Sequence, residues 1–405
     1  MFLNISYRKL IIIYSSILAW LPFLNIGRFV PGISISELFL IVFTAIALFV
    51  KNKQKSRYEV FETIFAFFAF YCCLQTFFIA LINNSFEIFW LNRIIRFLFY
   101  VICILVTSKK FFDERVVFKS YNVFAVALFI GIIFQYVVYY STGRYILLYE
   151  YILPIDENSL RSLTDYERLF SYGAFRPSSF LLEPSHVAQN LIIVLIYNLF
   201  KKSYTDSDKD KKQSFIMILI ISLSILLSKS LWGYFLLFLC FGLFFLMNFT
   251  KRQKAFWFIF TPVVMLFGFL IVVNSSLFAD TFSRINLFDL GGSSSFIGRF
   301  GKYEIVDTEN LINLFFGNGF GFGISEIRAY PNSILFILVG EGIIGIIILA
   351  ILYLSTMFKV KTVWKRILCS VFYILLFGST IFFSTSLVLI LSCLFNDDFL
   401  KEKTA

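Results

Sequence analysis

The sequence predicts an all-α fold: a polytopic transmembrane helical bundle of 11 to 12 spans that forms a single integral membrane domain over residues 1–405. Hydrophobic residues make up 59% of the chain and charged residues 15%, well below the roughly 25% charged residues of soluble domains. The apolar runs are long and unbroken, which favours helices over barrel strands, because strands would alternate apolar and polar residues. Basic residues lie in short clusters between these runs, as topology signals do.

The apolar runs have the length needed to cross a bilayer core, about 17 to 25 residues. No cleavage pattern of small residues follows the first run, so we expect an uncleaved first span. The last run, residues 367–395, predicts one long span or two short ones. Two larger loops are predicted on the outer face, at about residues 141–180 and 274–331. The remaining runs lie near residues 10–26, 33–50, 60–82, 86–107, 118–140, 181–200, 215–228, 231–249, 256–273 and 332–357.

Placing the N-terminus in the cytoplasm puts 22 of the 36 basic residues in cytoplasmic loops. The net charge of +11 therefore indicates topology, and nucleic acid is not expected as a partner. The six cysteines lie inside apolar runs without the spacing of metal ligands, so neither disulfides nor a metal site is predicted. The basic clusters are Arg8 and Lys9; Lys51, Lys53, Lys55 and Arg57; Lys109, Lys110, Arg115 and Lys119; Lys201, Lys202, Lys209, Lys211 and Lys212; Lys251, Arg252 and Lys254; and Lys359, Lys361, Lys365 and Arg366.

Arginine dominates the opposite face, where ten arginines stand against two lysines, whereas 17 of the 22 cytoplasmic positions are lysine. A guanidinium group is a planar fork that grips phosphate or carboxylate through two parallel hydrogen bonds, which lysine cannot do. The pattern predicts a polyanionic ligand at the outer face. The alternative is that these arginines pack and pair with acidic neighbours such as Asp165, Glu167 and Asp289. The ten are Arg28, Arg93, Arg96, Arg144, Arg161, Arg168, Arg176, Arg284, Arg299 and Arg328.

The segment from Arg176 to His186 leads from the first large outer loop into the sixth predicted span. Pro184 suits the first turn of a helix, which places Glu183 near the N-cap and His186 on about the same face. A carboxylate beside an imidazole is suited to proton transfer near neutral pH. The alternative is that Glu183 only caps the helix while His186, the single histidine of the chain, is an interfacial residue.

The second large outer loop is rich in glycine, from Gly298 to Tyr303 and again from Phe316 to Gly323. Glycine permits tight turns and a close approach of backbone amides to a ligand. The spacing does not fit the dinucleotide-binding fingerprint and no strand precedes it, so nucleotide binding is not predicted. Flexible packing between two membrane-lying segments is the alternative.

The late span opens at Asn332 and carries Glu341 between two glycines, roughly 13 Å inside its outer end by helical rise. A charge at that depth costs on the order of 3 kcal/mol unless it faces a cavity or a partner. Arg93 and Arg96 in the fourth span pose the same problem. We expect a polar pocket inside the bundle to accommodate these charges, with snorkelling as an alternative for Arg93.

These three blocks, in this order, resemble the pattern of the Wzy-like O-antigen polymerase and O-antigen ligase superfamily. The pattern comprises an Arg then Glu-Pro-Ser before a mid-chain span, an Arg followed by a Gly-x-Gly stretch, and an Asn then Glu-Gly-x-x-Gly opening a late span. The resemblance implies a metal-independent glycosyltransferase without cofactor, acting on undecaprenyl-pyrophosphate-linked oligosaccharides at the outer face of the bacterial cytoplasmic membrane. It also implies membrane lipids and a chain-length regulator as partners, and O-antigen, capsule or exopolysaccharide as product.

Carried over by position, Arg176 and Arg299 would hold the donor pyrophosphate, while Glu183 with His186 beside it is the candidate for proton removal. These four are the candidate catalytic residues. The candidate substrate-binding residues are Arg93, Arg96, Arg284, Lys302, Tyr303, Arg328, Asn332 and Glu341.

Two other functions stay open at this point. Ligases of the superfamily usually carry a His-Asn pair where this chain has Pro331-Asn332, which favours the polymerase and leaves the general base open among Glu183, His186 and other groups. A flippase or transporter of lipid-linked oligosaccharides would also need a cationic cavity, but its charges should line a path through both leaflets. The lack of an internal sequence repeat counts against an inverted-repeat transporter.

Overall fold

The computed structural model describes residues 7–30, 32–50, 59–82, 88–154, 175–204, 207–248, 310–320, 332–360 and 362–396, and these residues are mostly helical. A short antiparallel pair, β1 (Arg28–Val30) and β2 (Ile33–Ser34), lies near the start of the chain. The helices are α1 (Tyr7–Leu18), α2 (Leu21–Leu24), α3 (Ile35–Phe49), α4 (Val60–Ile82), α5 (Ile88–Ile102), α6 (Ser108–Phe111), α7 (Glu114–Thr142), α8 (Pro184–Tyr204), α9 (Asp208–Leu227), α10 (Leu231–Asn248), α11 (Leu311–Phe316), α12 (Ser333–Lys359), α13 (Val363–Gly378) and α14 (Ser386–Phe395). A π-helical turn (Cys103–Thr107) joins α5 to α6, and 3-10 turns cover Leu148–Tyr151 and Ile381–Phe383.

Within the described residues, four helices are long and apolar enough to cross a membrane: Val60–Ile82, Leu91–Phe111, Glu114–Thr142 and Ser333–Lys359. Each carries large apolar side chains on its outer surface, such as Phe67, Ile95, Val137 and Ile347. Such a surface is tolerated when lipid covers it. The predicted all-α character is therefore confirmed for the described residues, and the apolar helices fit a membrane protein. The predicted run at 256–273 lies outside the described residues.

Helix α8 is the centre of the bundle, since it packs against α7, α9, α10 and α13. Its residues from Val187 to Phe200 are buried, including its polar side chains. Asn190 Nδ2 donates to the carbonyl oxygen of His186 (2.8 Å), and Asn198 Nδ2 donates to Asn122 Oδ1 (2.8 Å). A helix that is enclosed on all sides positions its first turn firmly, which matters because the predicted Glu183 and His186 lie there.

One end of the bundle gathers the basic clusters of the described residues, and we call it the lysine end (residues 7–9, 47–50, 59–62, 109–115, 201–204, 207–212, 359–360 and 362–366). The Tyr7 hydroxyl donates to the carbonyl oxygen of Lys110 (2.6 Å), and Lys110 Nζ donates to the carbonyl oxygen of Val50 (2.9 Å). These contacts join the ends of α1, α3 and α6. The predicted side of the membrane for this end stays a prediction.

The opposite end holds predicted functional segments of the described part of the chain, and we call it the motif end (residues 27–30, 32–37, 93–96, 143–154, 175–186, 228–233, 332–333 and 379–385). The backbone N–H of Arg28 donates to the carbonyl oxygen of Pro154 (2.8 Å), and that of Ser333 donates to the carbonyl oxygen of Ser379 (2.9 Å). Of the two predicted large loops, only residues 141–154, 175–180 and 310–320 are described.

Two predicted spans are broken in the structure. Run 10–26 forms α1 and α2, with Pro22 in the first turn of α2, because proline lacks the N–H that a continuing helix would need. Run 367–395 forms two helices, α13 and α14, instead of one long helix. Helix α13 ends at Gly378, where an added Cβ would lie 2.2 Å from Cζ2 of Trp232. The indole packs directly on the chain at this break.

Candidate functional site

The first turn of α8 brings together the carboxylate and the imidazole that the sequence singled out. As predicted, Pro184 opens the helix and Glu183 directly precedes it. The carbonyl oxygen of Glu183 accepts from the backbone N–H of His186 (3.0 Å), and Ser185 Oγ donates to Glu183 Oε2 (3.1 Å). Both Glu183 and His186 are partly exposed. The two side chains therefore stand at the motif end, on the first turn of the central helix.

Arg176 is held beside this turn by the connection between α9 and α10. Its Nε donates to the carbonyl oxygen of Lys229 (3.2 Å). Four residues later, Gly233 packs so tightly against α8 that an added Cβ would lie 2.7 Å from Cβ of Ala188. The connection at Lys229 thus contacts Arg176, and the first turn of α10, which follows directly, packs against α8. The structure brings Arg176, Glu183 and His186 to one part of the motif end.

The segment between Arg176 and α8 is fixed against α7. Gln135 Oε1 accepts from the backbone N–H of Ser179 (2.8 Å), and Gln135 Nε2 donates to the carbonyl oxygen of Ile146 (2.7 Å). Gly131 makes this possible, since an added Cβ would lie 2.2 Å from Oγ of Ser179. The Tyr145 hydroxyl donates to the carbonyl oxygen of Arg176 (3.2 Å). The backbone that presents Arg176 is therefore preorganised.

Arg96 is placed differently from what the sequence suggested. It forms an ion pair with Glu37 (2.7 Å from Nε to Oε1), and its side chain is 44% exposed. The Tyr100 hydroxyl donates to the same carboxylate oxygen (2.8 Å). Arg96 thus lies at the surface beside Glu37 and not in a pocket inside the bundle. Arg93 lies with its guanidinium carbon 5.6 Å from the centre of the Phe336 ring.

Asn332 caps α12. Its side-chain oxygen accepts from the backbone N–H of Leu335 (2.7 Å), and the residue is buried. This geometry satisfies one of the N–H groups that the first turn of a helix leaves open. A role for Asn332 in substrate binding stays a prediction.

Glu341 lies where α12 is interrupted inside the apolar span. Gly342 has φ 68° and ψ −167°, a combination that glycine adopts readily and that strains other residues. Glu341 is fully buried, and neither carboxyl oxygen has a hydrogen-bond partner of normal geometry among the described residues. The Cys72 thiol, a weak donor, lies beside the carboxyl group. Glu341 thus lies inside α12, while its depth in the membrane stays a prediction, and no ion-pair partner is found in the described part of the chain.

Residues 316–320 fill the interruption. The backbone N–H of Asn318 donates to the carbonyl oxygen of Val339 (2.9 Å), and that of Gly319 donates to the carbonyl oxygen of Gly340 (2.9 Å). An added Cβ on Gly317 would lie 2.2 Å from the carbonyl oxygen of Gly340. In residues 316–320 the glycines therefore serve close packing between two segments, which was the alternative to ligand binding. Gly321 and Gly323 lie outside the described residues.

Helix α4 completes this contact with polar side chains. Gln75 Nε2 donates to the carbonyl oxygens of Gly340 (3.0 Å) and Phe316 (2.5 Å). The Tyr71 hydroxyl donates to the carbonyl oxygen of Glu341 (2.9 Å), and Thr76 Oγ1 accepts from the backbone N–H of Phe320 (2.8 Å). Irregular backbone at membrane depth is tolerated only where protein groups satisfy it in this way.

Several predicted site residues lie outside the described residues: Arg284, Arg299, Lys302, Tyr303 and Arg328. Conversely, sequence reasoning missed Glu37, Gln75 and Gln135. A glutamine or glutamate inside an apolar run was the available signal, because each such group needs a buried partner. Among the described residues, no group of three or more His, Cys, Asp or Glu side chains could hold a metal ion.

Comparisons of the chain with protein-family models and with curated proteins find no match. The function must therefore be argued from the residues and their geometry.

Proposed function

We propose that this chain is a polysaccharide polymerase that joins undecaprenyl-pyrophosphate-linked oligosaccharide repeat units at the outer face of the bacterial cytoplasmic membrane. In this proposal the lysine end faces the cytoplasm, the N-terminus is cytoplasmic, and the whole chain has 11 to 12 spans. The motif end then faces outward. The product would be O-antigen, capsule or exopolysaccharide.

One observation carries the proposal: a guanidinium, a carboxylate and an imidazole are gathered at the start of the central helix. Lys229, whose carbonyl oxygen accepts from Arg176, lies four residues before Gly233, which packs against Ala188 in the second turn of α8. This arrangement supplies the charges that a glycosyl transfer from a diphosphate needs, a cation for the leaving group and a base for the attacking hydroxyl. The partial exposure of these side chains leaves them open to a ligand.

The chemistry follows from these positions. A non-reducing-end hydroxyl of one lipid-linked repeat attacks the anomeric carbon of the growing chain. The bond from that carbon to the pyrophosphate oxygen breaks, and undecaprenyl pyrophosphate leaves with the bonding electrons. Arg176, together with Arg299, stabilises the charge that develops on the diphosphate. The hydroxyl proton passes to Glu183 or His186, and Ser185 orients the carboxylate through its hydrogen bond.

Replacing Arg176 tests the proposal. We expect Arg176→Ala to lower polymer formation roughly 10²-fold or more, while single repeats remain attached to lipid. Arg176→Lys should rescue poorly because the bidentate grip is lost. The measurement is polymer length on gels from cells that carry each variant at equal protein level. Arg299→Ala should behave in the same way.

Arg144→Ala is the matched control, because Arg144 is an exposed arginine of the motif end to which the proposal gives no role. It should keep normal polymer. Wild-type polymer in Arg176→Ala, at a normal protein level, would contradict the role of the guanidinium and with it the proposed mechanism.

A flippase for the same lipid-linked oligosaccharides is the second candidate, and the interruption of α12 favours it. Broken helices with buried polar groups at membrane depth are common at the substrate sites of transporters. The two functions differ in what a deletion strain accumulates. Lipid-linked single repeats facing outward support the polymerase, whereas the same lipids facing inward support the flippase.

A further inference from the structure

Glu341 is a buried acid whose surroundings do little to stabilise a negative charge. The residue is fully buried, and its two carboxyl oxygens have no hydrogen-bond partner of normal geometry in the described part of the chain. An ionised carboxylate in such surroundings costs several kcal/mol, and such groups usually take up a proton instead. A neutral carboxyl group avoids most of this cost.

The backbone around Glu341 does not offer ligands for a metal cation either. Carbonyl oxygens freed by a helix interruption often coordinate Na⁺ in membrane proteins. Here the carbonyl oxygen of Val339 accepts from the backbone N–H of Asn318, and that of Gly340 accepts from Gly319 and from Gln75. The carbonyl oxygen of Glu341 itself accepts from the Tyr71 hydroxyl. These oxygens are therefore engaged by N–H and O–H donors.

The titratable groups near Glu341 are weak acids. Helix α4 contributes Tyr71, Cys72 and Cys73. The described residues of the segment at 310–320 contain no titratable side chain, and the 3-10 turn at 381–383 contains none. On α13, Cys369 is buried, and the rings of Tyr373 and Tyr353 lie 4.6 Å apart in a tilted arrangement beyond the interruption. Lys365 and Arg366 belong to the lysine end. On α5, Arg93 lies over the ring of Phe336, more than one helical turn before Glu341, and Glu341 forms no ion pair with a cation among the described residues.

We propose that Glu341 is a proton-binding site inside the span, and that its carboxyl group carries the proton at neutral pH. The ligand is thus a proton and not a metal cation or a sugar. The inference rests on burial and on the contacts of the interruption. It does not depend on the polymerase, since a flippase would contain the same site.

Infrared spectroscopy of the full chain in lipid tests the proposal directly. A protonated carboxyl group has a carbonyl stretch that an ionised carboxylate lacks. At pH 7 the wild-type chain should show such a band, and Glu341→Gln should lose it. Glu37→Gln is the matched control, because Glu37 is also buried but is paired with Arg96. It should leave the band unchanged. Identical spectra for the wild type and Glu341→Gln in this region would overturn the proposal.

Chemical labelling distinguishes a proton from a metal cation. Dicyclohexylcarbodiimide enters lipid and reacts with protonated carboxyl groups: the carboxyl oxygen bonds to the central carbon, the proton goes to a nitrogen, and rearrangement gives a stable acylurea. Mass spectrometry should find this adduct on Glu341 at pH 7, in equal yield with and without sodium chloride. Loss of the adduct in sodium at constant pH would overturn the proposal in favour of a sodium site. If the reagent fails to reach Glu341, the infrared band alone decides.

Discussion

Single glycine residues shape the two functional regions of the structure, the start of α8 and the interruption of α12. At Gly131, the missing side chain lets the segment after Arg176 approach α7, and at Gly233 it lets the start of α10, next to Lys229, approach α8. At Gly342, the backbone takes a conformation that other residues adopt only with strain. These glycines explain why polar groups come close together in the two regions. At each of them, the effect of one added methyl group on stability can be predicted.

Gly342→Ala should lower the free energy of unfolding by about 3 kcal/mol or more. The backbone conformation at this position costs about 1 to 3 kcal/mol for a residue other than glycine. In addition, the new Cβ would lie 2.3 Å from the carbonyl oxygen of Phe315, and overpacking adds a similar amount. The thermal unfolding temperature in detergent measures the loss. Gly242→Ala is the control, since nothing lies within 4 Å of its Cβ position. Equal stability of both variants would contradict this account of the interruption.

At the scale of elements, helix ends and helix pairs are held by a small number of polar contacts. Helix α3 begins with a capping box, in which Ser34 accepts from the backbone N–H of Glu37 (3.2 Å) and Glu37 accepts from that of Ser34 (2.9 Å). The same carboxylate pairs with Arg96 of α5. Glu37 thus caps α3 and joins it to α5, so a change at this cap affects both helices.

Ser34→Ala should destabilise the chain by about 1 kcal/mol, the usual cost of removing a helix cap. Ser34→Thr should retain most of the stability, because its hydroxyl group can accept the same hydrogen bond and still donate to the Glu37 carboxylate. Ser141→Ala serves as the control, since its hydroxyl only donates to a carbonyl oxygen one turn earlier on an exposed surface. Thermal unfolding compares the three variants, and an unchanged midpoint for Ser34→Ala would show that the capping box contributes little.

At the lysine end, α7, α13 and α14 meet at a buried ion pair. Lys365 Nζ lies 4.0 Å from Glu114 Oε2, and both side chains are 2% exposed. The ammonium group also donates to the carbonyl oxygen of Asn396, at the end of α14. Removing one member of a buried pair leaves the other charge in an apolar surrounding. This contact therefore anchors the end of α14.

Lys365→Ala should lower the free energy of unfolding by roughly 3 to 5 kcal/mol. The double variant Lys365→Met with Glu114→Gln should recover much of this loss, because it removes both charges and keeps the volume. Unfolding of Lys365→Met, Glu114→Gln and the double variant in the same detergent gives the coupling between the two residues. Recovery of stability by Lys365→Met alone would show that burial of the alkyl chain, and not the charge pair, accounts for the effect.

For the whole molecule, the separation of the lysine end from the motif end is the property on which every functional argument depends. Much of it could be predicted from the sequence. The run at 60–82 became α4 with the same bounds, and Pro184 opened α8 as expected, because hydrophobic length and proline chemistry act locally. The pairing of Arg96 with Glu37 and the filling of the interruption by residues 316–320 could not be predicted. Each joins residues far apart in the chain, and local patterns do not encode such contacts.

Labelling of introduced cysteines from opposite sides of the membrane measures this separation. Arg144→Cys at the motif end and Lys209→Cys at the lysine end both replace exposed residues. In intact cells a membrane-impermeant maleimide should label the first and not the second, and in inverted vesicles the reverse. The native chain is the control, since its cysteines are buried or half-buried in helices. Labelling of both positions from one side would contradict the alternation of the helices.

The short length of α14 has a consequence for depth. Its ten residues rise about 15 Å, roughly half of a hydrocarbon core of about 30 Å, and its last turn is tied to the lysine end through Asn396. Where the lysine end lies at one surface of the membrane, as proposed above, the turn that precedes α14, with the hydroxyl groups of Ser384 and Thr385, lies only about halfway across the hydrocarbon core. A polar group that reaches this turn from the motif end would then have about half of the apolar layer left to cross.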